Sequence, residues 1–296
     1  MPRTKIRRIT ATLFLPAIIA TVTSAPSRAA QVTSHALQDF DQYVQARESS
    51  DQHNDAANKN FLWMDTQPPP DRERIYTALK QGKIIVRPTQ ACSPPACPDP
   101  PGALIHDWTA IAFIPGVTLA QTLATLQDYQ RDAEYYSPQV TRSRLLSRSG
   151  DNFRVFLRLQ QKRVITVVLD TEYEIHYVTI DAAHAAATSR STRVAEIENA
   201  DTPQEHILST AEDHGFLWRL NSYWRFYQAD GGVYIQCRAI SLTRDVPPAL
   251  GWMIGRFIEN ISRESLIFTL TATRNAVQKN FRGAPRNANV EHQRKQ

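Results

Sequence analysis

The chain has 296 residues, 34 Lys and Arg against 29 Asp and Glu, eight His, and 42% hydrophobic side chains with ten glycines. Five of the 34 basic residues (Arg3, Lys5, Arg7, Arg8 and Arg28) fall in the first 29 positions, so the rest balances at 29 against 29 and offers no field for nucleic acid. Removing those 29 positions leaves 267 of the 296 residues, enough for one large domain or a domain with an extension.

Residues 1–29 divide into a basic start, an apolar run at 9–22 and a small-residue end at Ser27-Arg28-Ala29. This reads as a signal peptide cut after Ala29, which predicts a secreted or periplasmic protein. Thr10, Thr12 and Pro16 interrupt the run, and it is short for a membrane span of about 20 apolar residues. Arg7-Arg8 leaves twin-arginine export open beside ordinary secretion.

Residues 30–103 read as a mostly helical extension. A weakly amphipathic helix is expected over 33–65, with Leu37, Phe40 and Val44 on one stripe. A second helix at 71–80 stops at Gly82, a short strand covers 83–87, and a proline-rich loop covers 88–102. In that loop Cys92 and Cys97 enclose Ser-Pro-Pro-Ala, and after export they are expected to close a small disulfide ring. Two cysteines without a second ligand pair make no tetrahedral metal shell, so no metal site is expected. Cys237, mid-strand, reads as a small buried apolar residue.

The core is expected over 104–278, before a disordered basic tail at 279–296. It opens with a strand at 104–114 broken by Pro115-Gly116. Thr118 and Gln121 form a capping box for a helix carrying Leu119, Leu123 and Leu126, and a helical turn follows at 132–136. Strands are expected at 139–147, 152–160, 164–181 and 188–199, in an antiparallel meander with one apolar and one wet face. In residues 215–245, Phe216, Trp218, Leu220, Trp224 and Phe226 alternate against Arg219, Asn221, Tyr223 and Arg225. Ala229 to Gly232 supply the hairpin turn. The apolar positions from Leu250 to Val277 are helical, with a phase slip near Ile261-Ser262 that predicts a kink or two successive helices.

The order is strand, helix, helix, six strands, long helix. With Asp128-Tyr129, Tyr135-Tyr136-Ser137-Pro138-Gln139-Val140 and Ser143-Arg144-Leu145-Leu146, it resembles the START-like superfamily, also called SRPBCC or helix-grip, of the polyketide cyclase and coenzyme-Q-binding type. The resemblance covers roughly residues 104–277. It implies an α+β helix-grip fold, a curved antiparallel sheet wrapped around a long C-terminal helix with an apolar cavity between them. It also implies a hydrophobic small molecule or lipid as ligand. No catalytic signature is shared across that superfamily, so none carries over.

No G-x-S-x-G, H-E-x-x-H, G-x-G-x-x-G or P-loop pattern occurs. His106-Asp107 could pair as base and orienter, but adjacent strand residues point to opposite faces, which favours a structural role. The expected cavity wall comprises Tyr173, Tyr177, Trp218, Ser222, Trp224, Phe226, Ile235, Cys237, Met253 and Phe257. Arg190 and Arg193 lie on a strand of unclear phase and are candidates for clamping a ligand anion. The other strand charges, Arg154, Arg158, Asp170, Glu172, Glu174, Arg219 and Arg225, read as an outer face with cross-strand pairs.

Three functions remain open: an exported binder of a lipid, isoprenoid or polyketide-like ligand; a cyclase or hydrolase acting in the same cavity; and an envelope interaction module whose N-terminal helix docks a partner. Binding without catalysis is the favoured of these. No cofactor and no nucleic-acid partner is expected, contact with a membrane surface would be transient, and the protein partner is unspecified.

Overall fold

The computed structural model describes residues 32–56, 60–89, 100–162, 166–210, 212–245 and 248–281, with side chains left undescribed at 50–56 and 248–260. The signal-peptide segment, the Cys92 and Cys97 pair, and the tail from residue 282 lie outside the described residues. One antiparallel sheet organises the rest. Its strands are β1 (Ile85–Pro88), β2 (Ala103–Pro115), β3 (Val140–Ser149), β4 (Asn152–Lys162), β5 (Thr166–Thr179), β6 (His184–Glu198), β7 (His206–Ile207), β8 (Arg219–Ala229) and β9 (Gly232–Arg244). They run in the order β1-β2-β9-β8-β6-β5-β4-β3, with β7 paired to β6.

β8 and β9 form the predicted hairpin. Its turn residues Asp230 and Gly231 both have positive φ, 54° and 72°, as a two-residue type I′ turn requires. α3 (Leu119–Leu126) and α4 (Asp132–Tyr135) lie between β2 and β3, and α5 (Pro248–Phe281) follows β9. At α3 the Thr118 hydroxyl accepts from the Gln121 amide at 3.2 Å while the Gln121 side chain accepts from the Thr118 amide at 2.9 Å, the predicted capping box.

α5 is a single continuous helix of 34 residues, not two successive helices. No proline or glycine follows Gly255 within it, and Leu266, Leu270, Thr273 and Val277 keep one buried stripe through its second half. It also overruns the expected tail boundary, since Lys279, Asn280 and Phe281 are helical. The chain thus forms a curved sheet closed by a C-terminal helix, the helix-grip arrangement.

The face of the sheet turned away from α5 departs from the expected wet surface. α1 (Ser34–Ala56) lays Ala36, Phe40, Tyr43 and Val44 on Ala103, Ile240 and Leu242, all buried. A 3-10 turn at Trp63–Thr66 and α2 (Pro69–Lys80) cover Ile111, Phe113 and Tyr234 with Leu62, Met64 and Leu79. Residues 233–238 of β9 are therefore buried without alternation, because both sides of the strand are covered.

The polar side chains of that convex face secure the extension. Asp107 and Arg238, each 8% exposed, pair bidentately at 2.5 and 2.9 Å, and the Tyr43 hydroxyl donates to Asp107 at 2.8 Å. The Gln236 side chain accepts from the Trp63 amide at 2.7 Å, and Arg225 donates to the Phe61 carbonyl at 2.7 Å. Farther across the sheet the expected cross-strand pairs hold: Arg158 pairs bidentately with Asp170 at 2.7 and 2.9 Å and also meets Glu205.

Candidate functional site

The concave face is built from rows of side chains that the strand registers fix. One row runs Tyr177, Ala187, Trp224, Cys237, Ala110, and the next runs Ile175, Ser189, Ser222, Ala239, Trp108. Toward the β8–β9 turn the face is sealed: Ala112, Ile114, Phe226, Val233 and Ile235 pack with α5 residues Leu266, Leu270 and Val277. Toward the end from which α5 departs, the residues are small, Ser189, Ser191, Ser222 and Ala239, and the large ones beside them, Trp108, Leu157, Ile175 and Trp224, are only partly buried. Large apolar side chains around small ones are the lining chemistry that ligand pockets use.

Of the expected wall residues, Tyr177, Trp224, Phe226, Ile235 and Cys237 come together in the cluster beneath α5, and Ser222 stands in the adjoining row. Tyr173, opposite Val155 and Ser191, is buried, and burial pushes its phenol up to about 12. Burial likewise pushes the Cys237 thiol up, which leaves it an inert space-filler. The side chains of Met253 and Phe257, on the first half of α5, lie outside the described residues.

Trp218 is a correction. It packs on the convex side against α1, Ile240 and Leu242 rather than in the cavity wall. Regular strand begins only at Arg219, after the turn at Gly215 (φ 74°), so the alternation does not extend back to Trp218.

Arg190 and Arg193 are a second correction, since neither enters the concave side. Arg190 pairs with Glu174 in register and bonds Glu48 of α1 at 2.6 Å; Arg193 pairs with Glu172 and meets its carboxylate at 3.7 Å. Three residues apart, they would face opposite ways in a regular strand. An extra residue, Thr192, shifts the register between them and turns both outward. His106 and Asp107 also separate as expected, the imidazole against Thr243 at 3.0 Å and the carboxylate in the convex network.

A polar group that the sequence reading missed adjoins the sealed cluster, which contains Tyr129 and Tyr177. The Tyr129 and Tyr177 hydroxyls are 2.8 Å apart, and the Tyr136 hydroxyl lies 3.0 Å from Thr273 on α5. Asp132, at the start of α4, is 5% exposed. Burial, and secondarily the nearby Asp128, hold its carboxyl well above the usual range, and it lies within electrostatic reach of Tyr129, Tyr136 and Tyr177. No hydrogen bond or ion pair reaches that carboxyl among the described residues. The short turn and helix at 129–136 carry little periodicity, so only the spacing of Tyr129, Asp132 and Tyr136 signals it.

A separate surface groove of about 260 Å³ lies between α4 and α5, lined by Glu134, Tyr135, Phe268, Thr271 and Lys279 among others. It opens on the outer side of α5, away from the concave face. Among the described residues no group of three His, Cys, Asp or Glu side chains is placed to hold a metal ion, and no helix is long and apolar enough to cross a membrane.

No family model matches the chain, and no curated protein matches it by sequence. Among solved structures it is similar to an aromatase/cyclase from Streptomyces sp. R1128, at 10% identity over 62% of this chain and 98% of that one, TM-score 0.43. A STAR-related lipid transfer protein from Xanthomonas axonopodis is similar at 15% identity over 65% and 98% of the two chains, TM-score 0.41. The topology by itself, with β2, two short helices, a meander ending in the β8–β9 hairpin that closes back on β2, and α5 in the grip of the sheet, constitutes an α+β helix-grip fold.

Proposed function

We propose that the protein is exported and holds a hydrophobic ligand, a lipid, isoprenoid or polyketide-like molecule, between the sheet and α5. The carrying observation is the asymmetry of the concave face. Trp108, Trp224, Leu157 and Ile175 turn inward yet stay partly accessible around a floor of serine and alanine, while the other end of the same strands is sealed. Export rests on the pattern of residues 1–29.

The test is native mass spectrometry of the mature chain purified from its exporting host, followed by organic extraction. Co-purifying apolar mass, lost when Trp108 and Trp224 are both replaced by alanine, is expected. An empty protein that also takes up no neutral apolar dye would overturn the proposal.

The enzymatic reading gains from the buried Asp132 with its tyrosines, because it requires convergent polar groups and a perturbed acid. Extracted ligand returned to the protein and recovered chemically altered would favour it. Recovery unchanged would favour a carrier. The interaction-module reading loses its docking element, since the apolar stripe of α1 is spent on the protein's own sheet.

A further inference from the structure

We propose that Ser189 and Ser222, with Ser191 and Ser241 beside them, form a hydroxyl floor in the concave face that takes a neutral oxygen on the flank of an otherwise apolar ligand. The inference rests on the ligand-binding reading above and specifies what polar chemistry that ligand carries.

Strand register assembles the floor. Ser189 on β6 stands directly opposite Ser222 on β8, with Ile175 at one end of their row and Trp108 at the other. Directly opposed side chains have Cβ atoms about 4.5–5.5 Å apart, so one ligand oxygen can reach both hydroxyls. In the next row outward Ser241 on β9 opposes Leu220, and Ser191 on β6 opposes Tyr173. The Ser191 hydroxyl accepts from the Leu220 amide at 2.9 Å, which fixes its oxygen in that row and leaves its proton uncommitted.

The hydrogen bonds these residues do not make are informative. Elsewhere in the protein, buried threonines spend their protons on backbone carbonyls, Thr122 on Thr118 at 3.0 Å and Thr171 on Leu157 at 2.8 Å. None of the four serines donates to a protein acceptor among the described residues. Ser191, Ser222 and Ser241 are half-buried, and Ser189 is only 9% exposed. The one fully buried side-chain polar atom without a partner among the described residues is Trp63 Nε1, on the convex side where the Trp63 amide meets Gln236. The Ser189 hydroxyl is therefore not sealed. Open space reaches it from the concave side.

Small size alone does not account for serine here. Ala187 and Ala239 occupy the same face and are small without a hydroxyl. A hydroxyl taken from water without a partner is unfavourable, so opposed serines over open space suit an occupant that supplies the missing bonds. Each hydroxyl donates one bond, accepts two and carries no charge, which matches ketone, ether and alcohol oxygens. Ile175 and Trp108 bound the floor across the strands and Trp224 bounds it along β8, so the oxygen is met on the side of an apolar body.

The test is displacement of Nile red by fluorene and 9-fluorenone, rigid molecules of one shape that differ by a carbonyl on the long edge. The ratio of fluorenone to fluorene affinity is expected to fall about fivefold when Ser189→Ala and Ser222→Ala are combined, the factor that one net hydrogen bond supplies. The infrared carbonyl stretch of bound fluorenone should lie below its value in alkane solvent for the wild type and return to that value in the variant. Should the double variant fail to fold, Ser222→Ala alone decides by the same two readouts. An unchanged ratio in a folded variant, an alkane-like stretch in the wild type, or bound Nile red that neither compound displaces overturns the serine floor but leaves ligand binding intact. A wild-type protein that takes up no Nile red overturns both.

Discussion

At the scale of single residues, the chemistry sits on side chains whose meaning depends on what surrounds them. Asp132 is one acid among 29 acidic residues in the sequence, and nothing in its neighbours there marks it as buried. Its burial raises the folded-state pKa, so the folded chain keeps a proton that the unfolded chain releases. Stability is then greatest at low pH and declines as pH rises from the unfolded carboxylate value toward the raised folded one. Thermal melts across this range should show Asp132→Asn abolishing that decline and melting higher than wild type at neutral pH. Identical pH profiles for the two proteins would show that Asp132 is not held neutral. The surrounding groups, Tyr129, Tyr136, Tyr177 and Cys237, all have their pKa pushed upward and do not titrate over this range, which leaves Asp128 as the other acid to control for.

The face taken by the residues of β5, β8 and β9 was legible because a half-buried strand repeats every two residues. Trp218 was not, because the repeat was extended past the start of its strand. Arg190 and Arg193 were not, because a bulge leaves no local signature in composition. The N-terminal part of β6 was missed for another reason. Alanine is depleted in strands, so the run through Ala187 did not read as one, yet Ala185 and Ala187 are needed beneath α5 because they are small.

Among the elements, α1 is the one whose role the sequence misled most. A weakly amphipathic helix far from the core suggested a free docking arm. Its tyrosine instead completes a buried ion pair on the convex side. Removing one partner of such a pair strands the other charge, so Arg238→Ala should cost about 3–5 kcal/mol in denaturant unfolding, whereas replacing Asp107 and Arg238 together by leucine and methionine should cost far less. Equal losses in the single and double variants would refute that account. Tyr43→Phe, which leaves the pair intact and removes both the bond to Asp107 and the one accepted from Arg47, should cost about 1–2 kcal/mol.

For the molecule as a whole, the split of the concave face divides mutations into two kinds. In the sealed half, Leu270→Ala removes a fully buried side chain between α5 and the sheet and should cost about 2–5 kcal/mol by urea unfolding. In the open half, Trp224→Ala should reduce apolar-dye uptake with a smaller loss of stability, because its ring is only partly covered. The reverse pattern would place the cavity elsewhere. This division was invisible in the sequence, where both halves share the same alternation.

β9 carries one further consequence. It is the strand on which α1 rests from one side and α5 from the other, while the extension meets α5 directly only farther along, where Arg274 donates to the Gly82 carbonyl at 2.8 Å. A molecule settling beneath α5 would tighten β9, and the slowed amide exchange of that strand should spread to α1 on the far side. The N-terminal helix would then act as a remote reporter of occupancy, readable by deuterium uptake without any label near the cavity.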